Sequence, residues 1–156
     1  MTGHSKFVYV TIIRSTREKI WDALTKPEFT RQYWAGTTQK SEWTKGSVWQ
    51  VYTPDGRLWD SGEILEADYP RKLVLTWSKE PGKFPEMTAE GYSRLTYELE
   101  PDPLGVKLTL VHEMDVDNSK LIGAVSEGWP SVLSSLKTFL ETGTPLENSD
   151  KWPEGL

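Results

Sequence analysis

The stretch that most limits what this chain can become is residues 127–141, near its C-terminus. Trp129, Val132, Leu133, Leu136, Phe139 and Leu140 fall along one stripe of a 3.6-residue helix. Ser131, Ser134, Ser135, Lys137, Thr138 and Glu141 take the other side. Gly143 supplies a C-cap, and Pro145 blocks resumption of the helix. A helix of this length is marginal alone in water. Burying its six large apolar side chains is worth on the order of 10 kcal/mol, so it must lie on a surface that the upstream residues provide.

Composition limits what that surface can be. At 156 residues the chain fits one domain, with a core at 6–143 and a polar, frayed tail at 144–156. An apolar content of 37% with 26% charged residues excludes a disordered polymer. No uncharged apolar run approaches the roughly 20 residues of a membrane span. Residues 1–6 hold no signal-peptide core, so a cytoplasmic location is the default expectation. The absence of cysteine removes disulfides, thiol nucleophiles and zinc–thiolate sites. A net charge of -5 argues against nucleic acid as a partner. Of eight tryptophans, Trp152 in the tail is set aside; the seven in the domain are more than a core of this size needs, and are read either as a Trp-rich core or as rings of which some line an apolar cavity.

Taken in order, residues 7–13 are β-branched and aromatic and predict a strand. Ser15 and Glu18 form a capping box for a short helix carrying Ile20, Trp21 and Leu24. Pro27 opens a second short helix to Tyr33. Strands come next at 47–53, 57–67 (bent at Gly62), 72–78, 92–100 and 106–114, separated by turns rich in Pro, Gly and Asp. Alternation places Leu73, Leu75 and Trp77 on one face, then Leu95, Tyr97 and Leu99, then Val106, Leu108, Leu110, His112 and Met114. Residues 79–90 predict a mobile loop at the mouth of any cavity. Residues 120–125 predict a separate helical turn or two, because a continuous helix would enclose Gly123, Gly128 and Pro130 at about 1, 1 and 3 kcal/mol. The expected fold is α+β: a six-stranded curved antiparallel sheet, two short helices and one long C-terminal helix.

Three segments also carry a resemblance. Residues 20–28 (IWDALTKPE), the hairpin elements Gly62-Glu63-Ile64-Leu65-Glu66, Pro70-Arg71-Lys72-Leu73 and Thr76-Trp77, and the run from Gly128-Trp129-Pro130 through Leu133, Leu136, Leu140, Glu141 and Gly143 come in one order. Together they resemble the Aha-type activator of heat-shock chaperone ATPase homologues, within the START-like (birch-allergen-like) helix-grip superfamily. The resemblance implies a helix-grip fold with a cavity between sheet and long helix. It also implies ligands that are lipids, hormones, polyketides or other apolar molecules, and a heat-shock chaperone as an alternative partner. The chaperone-binding domain of the eukaryotic namesake has no counterpart in these residues.

Nucleotide, zinc-protease and nucleophile-elbow motifs do not occur. Of the two histidines, His4 sits in the start of the chain, and a two-His metal site would require it to fold back. His112 is the best polar candidate, either as a satisfied core histidine or as an anchor orienting a ligand through one hydrogen bond. Asp115 and Asp117 form a D-x-D better read as a solvated loop than as a calcium site. Glu63 and Glu66 fall on opposite faces of their strand, so one of them, unspecified, points inward. The expected ligand-binding set is Trp34, Trp49, Trp77, Tyr97, His112, Met114, Trp129, Leu133 and Leu136, with no catalytic residue, metal or cofactor. The leading reading is a binder of a small apolar or aromatic molecule. A chaperone cofactor and a cyclase- or hydrolase-like enzyme are the alternatives; the oligomeric state, homodimer included, is left open.

Overall fold

A computed structural model describes residues 3–156. Met1 and Thr2, at the start of the segment searched for a signal-peptide core, lie outside it. The elements are β1 (Ser5–Ile13), α1 (Arg17–Thr25), α2 (Pro27–Tyr33), β2 (Thr38–Ser41), β3 (Val48–Tyr52), β4 (Leu58–Asp68), β5 (Lys72–Lys79), α3 (Pro85–Thr88), β6 (Ser93–Asp102), β7 (Gly105–Met114) and α4 (Lys120–Thr142). All strands join one antiparallel sheet in the order β1-β7-β6-β5-β4-β3-β2. The meander from β2 to β7 pairs neighbours in sequence, and β1 closes it from the far side against β7.

Inward parity matches the expected alternation on β5, β6 and β7, whose inner residues are buried throughout. They form one core with Trp129, Leu133 and Leu136 of α4 and with Ile20, Trp21, Ala23 and Leu24 of α1. At Gly62 the β4 backbone comes close to β5. A Cβ there would stand 1.8 Å from the Thr76 carbonyl oxygen, so the close approach admits glycine alone.

Several sequence expectations need correction. The sheet has seven strands, not six: β2 is short, polar and at the edge, so it carries no hydrophobic alternation to find. Its Gln39 is nonetheless buried, accepting from Trp49 Nε1 at 2.9 Å and donating to the Leu24 carbonyl at 2.8 Å. The N-cap of α1 is Thr16 rather than Ser15, its hydroxyl accepting from Lys19 N. Glu63 and Glu66 do not straddle the sheet. The register steps from Ile64 opposite Leu75 to Glu66 opposite Val74, so Leu65 is an extra residue and both glutamates end on the outer face.

The C-terminal helix is continuous from Lys120, with Pro130 inside it. Its N-terminus is capped from thirty residues upstream. Glu90 accepts from Lys120 N and Leu121 N and from the Ser119 hydroxyl, while Ser119 Oγ itself accepts from Ile122 N. Burial pushes the Glu90 carboxyl up, but these bonds outweigh it and hold the group below its ordinary range. Leu121 and Ile122 are buried against Met114, worth on the order of 3–6 kcal/mol, which offsets the Gly and Pro penalties.

Besides Glu90, other residues of the 79–90 segment make contacts of their own. The Thr88 hydroxyl proton is shared between the Lys79 and Phe84 carbonyls, Glu86 pairs with Lys120 at 2.8 Å, and α3 lies within the segment, so it carries a short helix and contacts to α4 rather than forming an irregular loop. The tail is also held. Leu146 N donates to the buried Ser135 hydroxyl, Ala35 N to the Ser149 carbonyl, and Arg57 Nη2 to the Leu156 carbonyl.

Candidate functional site

The space between α4 and the sheet is not a single hollow. Its middle is filled by rings. Trp77 on β5 packs 4.7 Å from Trp49, 5.3 Å from His112 and 5.6 Å from Trp129, centroid to centroid. Tyr97 stands edge-on to Trp129 at 6.2 Å. The remaining void, a cleft of about 300 Å³, lies to one flank. Its walls include Trp34, Trp59, Trp77 and Trp129, with the helix backbone at Gly128 and the tail residue Trp152 closing the far side.

Of the nine expected ligand residues, the cleft brings together Trp34, Trp77 and Trp129. Trp34 sits 5.2 Å from Trp129 and 6.0 Å from Trp77, forming one aromatic wall. Trp49, Tyr97, Leu133 and Leu136 lie behind that wall as core. Met114 belongs to a separate small cluster with Leu121 and Ile122.

His112 does not reach the cleft. It is fully buried and both ring nitrogens are engaged. Trp129 Nε1 lies 3.1 Å from Nδ1, and an indole N–H can only donate, so Nδ1 accepts. The proton therefore sits on Nε2 and is donated to Ser93 Oγ at 2.7 Å. Ser93 passes its own hydroxyl proton to the Trp77 carbonyl at 2.8 Å. Burial, reinforced by the positive charge of Lys79, pushes the imidazole pKa down to about 3, so the ring is neutral. A neutral histidine with no free nitrogen is a strut, not an anchor or a base. His4 pairs instead with the acidic side chains of Asp115 at 3.1 Å and Glu113 at 3.2 Å, while both ring nitrogens of His112 are taken by Ser93 and Trp129. Among the described residues no group of His, Asp and Glu is placed to hold a metal.

The charged pair that faces the cleft is Asp60 and Lys79, directly opposite each other across β4 and β5. Thr37, whose hydroxyl donates to the Trp34 carbonyl, and the indole N–H of Trp152, buried and without a partner among the described residues, also line it. Lys79 Nζ lies 2.9 Å from Asp60 Oδ1, with the carboxylate 4% and the lysine side chain 14% exposed. The ion contact is close but badly angled, and Oδ1 lacks a well-formed hydrogen bond. The Trp77 indole N–H lies beside the same carboxylate and also lacks a partner in hydrogen-bond geometry. Burial pushes the Asp60 carboxyl up, against the opposing pull of Lys79 and Trp77. Lys79 is held laterally, its ammonium 5.8 Å from the Trp59 ring centre and 5.4 Å from Phe84.

Sequence reasoning missed Trp59, Asp60, Lys79 and Trp152. Lys79 was legible, since it extends the inward series Leu73, Leu75, Trp77 by one step, but the Pro- and Gly-rich run after it reads as loop. Trp59 was not. The register passes from Val51 opposite Asp60 to Tyr52 opposite Leu58, so Trp59 is an unpaired extra residue whose direction alternation cannot give. Trp152 is placed by long-range contact, packing edge-on against Trp59 at 4.7 Å.

Comparison with known proteins places the chain. No functionally curated protein matches the sequence. Among solved structures, a protein of Cytophaga hutchinsonii is 29% identical, with a TM-score of 0.71 over 92% of this chain and 98% of that one. The Aha1 dimer from Colwellia psychrerythraea is 18% identical, with a TM-score of 0.69 over 89% of this chain and 98% of that one. A protein from the dynemicin biosynthetic locus is 17% identical, with a TM-score of 0.71, and covers 94% of this chain but 49% of its own length is matched. The helix-grip architecture is common to them. The family model described as activator of Hsp90 ATPase homolog 1-like protein matches residues 14–141, and the chain belongs to that family.

Proposed function

We propose that the protein binds a small aromatic or apolar molecule in the cleft flanked by α4, β4 and β5. The observation that carries this is the open volume of about 300 Å³ between tryptophan walls, at the lower end of the usual ligand-pocket range and suited to a compact ring system. A core built only for stability would close such a space, because apolar side chains facing a void lose their dispersion contacts. Affinity would come from ring burial against Trp34, Trp77 and Trp129, with the Asp60–Lys79 pair setting orientation. His112 does not take part directly; it fixes Trp129 and, through Ser93, the β5 backbone at Trp77.

The test is a titration with bicyclic aromatics and short polyketide-like phenols, monitored by intrinsic tryptophan fluorescence and by melting temperature. Saturable quenching with a matching upward melting shift is expected. The control is Gly128→Leu, whose side chain would enter the cleft mouth, where a Cβ meets nothing within 4 Å. It should lose the shift while remaining folded. No saturable response from any compound would refute the reading.

A further inference from the structure

We infer that the cleft contains a subsite for a neutral hydroxyl of the ligand, the head of a phenol or enol, built from Asp60, Lys79 and the indole N–H of Trp77. The inference rests on the cleft being a ligand site and specifies which ligands it selects.

The lining is otherwise mostly carbon: Thr37 spends its hydroxyl proton on the Trp34 carbonyl, and the unpartnered Trp152 N–H stands alone beside Trp59, so the three polar groups that lie together, Asp60, Lys79 and the Trp77 N–H, define where a ligand hydroxyl must go. Each has unused capacity. The Trp77 N–H is buried and unpartnered among the described residues, and can only donate. Asp60 Oδ1 has Lys79 at 2.9 Å but no aligned hydrogen bond, and an ionised carboxylate only accepts. Lys79 has three ammonium protons, of which one at most addresses Asp60.

Charge narrows the choice. Asp60 and Lys79 cancel, so the corner is formally neutral and largely dry. A ligand carboxylate would lie against Asp60, and a ligand ammonium against Lys79. Either would displace half of a buried pair. A ketone or ether oxygen could accept from Trp77 or Lys79 but would leave Asp60 unmatched. A hydroxyl does both: its oxygen accepts from the indole N–H or the ammonium, and its proton goes to the carboxylate. The surrounding tryptophan faces favour an aryl over an alkyl carrier. The corner is also preorganised. Asp60 and Lys79 are fixed opposite each other by the β4–β5 register, and Lys79 is flanked by Trp59 and Phe84.

The experiment compares β-naphthol, its methyl ether and β-naphthoate by calorimetric titration, with the indole N–H resonances monitored by NMR. Wild type should bind β-naphthol about tenfold or more tighter than either analogue, because a buried polar site rejects a ligand that leaves its groups unpaired. Only β-naphthol and the ether should shift the Trp77 N–H resonance. Asp60→Asn removes the repulsion and should improve naphthoate relative to naphthol. The paired change Asp60→Leu with Lys79→Leu replaces the ion pair by apolar bulk, a kind of change that domains tolerate. It should keep ring binding and reduce the naphthol advantage to within about twofold. If wild type binds all three ligands alike, or prefers naphthoate, or if the naphthol advantage survives in the paired variant, the subsite is refuted while the cleft remains a receptor. If none of the three binds wild type, the receptor reading falls and the subsite with it.

Discussion

The neutral, doubly bonded His112 makes a quantitative claim about acid stability. Its folded pKa is pushed down to about 3 by burial and then by Lys79, against an ordinary value near 6.5 in the unfolded chain. The unfolded state therefore takes up a proton at a pH where the folded state refuses it. Stability from this group is complete above about pH 6.5 and is lost progressively as the pH falls toward about 3. At about pH 5 the unfolded chain gains nearly a full proton and the loss is about 2 kcal/mol relative to neutral pH. Asp60 works against it, because a raised carboxyl pKa makes the folded state the better proton acceptor over its own window. The clean measurement is therefore a difference. Urea unfolding of wild type and His112→Gln, each near pH 7.5 and pH 5, should show wild type losing about 2 kcal/mol more than the variant. Other carboxylates cancel in that comparison. Parallel losses in the two proteins would mean that the imidazole is protonated in the folded state, and the directed hydrogen bonds drawn through it would be wrong.

Three further outcomes rest on single contacts. Gln39→Ala leaves the Trp49 indole N–H and the Leu24 carbonyl unpaired in the core and should cost about 2–4 kcal/mol by urea unfolding. Glu90→Ala removes the acceptor for two backbone N–H groups of α4 and should cost about 1–2 kcal/mol, with amide exchange rising first at Lys120 and Leu121. Gly128→Ala places a methyl group where nothing lies within 4 Å and should raise stability by about 1 kcal/mol in thermal unfolding, since the helix gains propensity without a clash.

Periodicity was a sound guide wherever one face of an element is buried by its own neighbours. The stripe through Trp129, Leu133 and Leu136, and the inner series on β5, β6 and β7, are where the residues themselves place them. It failed where distant residues decide. The helix extends back to Lys120 because Glu90 supplies acceptors that no local window contains. Leu65 and Trp59 are extra residues in the ladder, and each shifts the parity of the strand residues beyond it. The tail looked frayed on composition, yet Trp152 closes the cleft through a ring contact with Trp59. Three of nine expected ligand residues reach the cleft because residue type and facing direction were readable, but depth was not: a wall ring and the core ring behind it share the same parity.

The run from Trp129 through His112 and Ser93 to the Trp77 carbonyl has a direction. Every proton points from the helix toward the sheet, and the indole at one end and the carbonyl at the other are chemically incapable of reversing it. The three side chains at positions 129, 112 and 93 consequently behave as one heritable unit, whereas the carbonyl at residue 77 is main chain and is there whatever the residue. Changing any link alone strands a donor or an acceptor in a dry interior, so substitutions along this line should be strongly non-additive. A lineage that replaced the histidine would be pressed to abandon the serine and the tryptophan together.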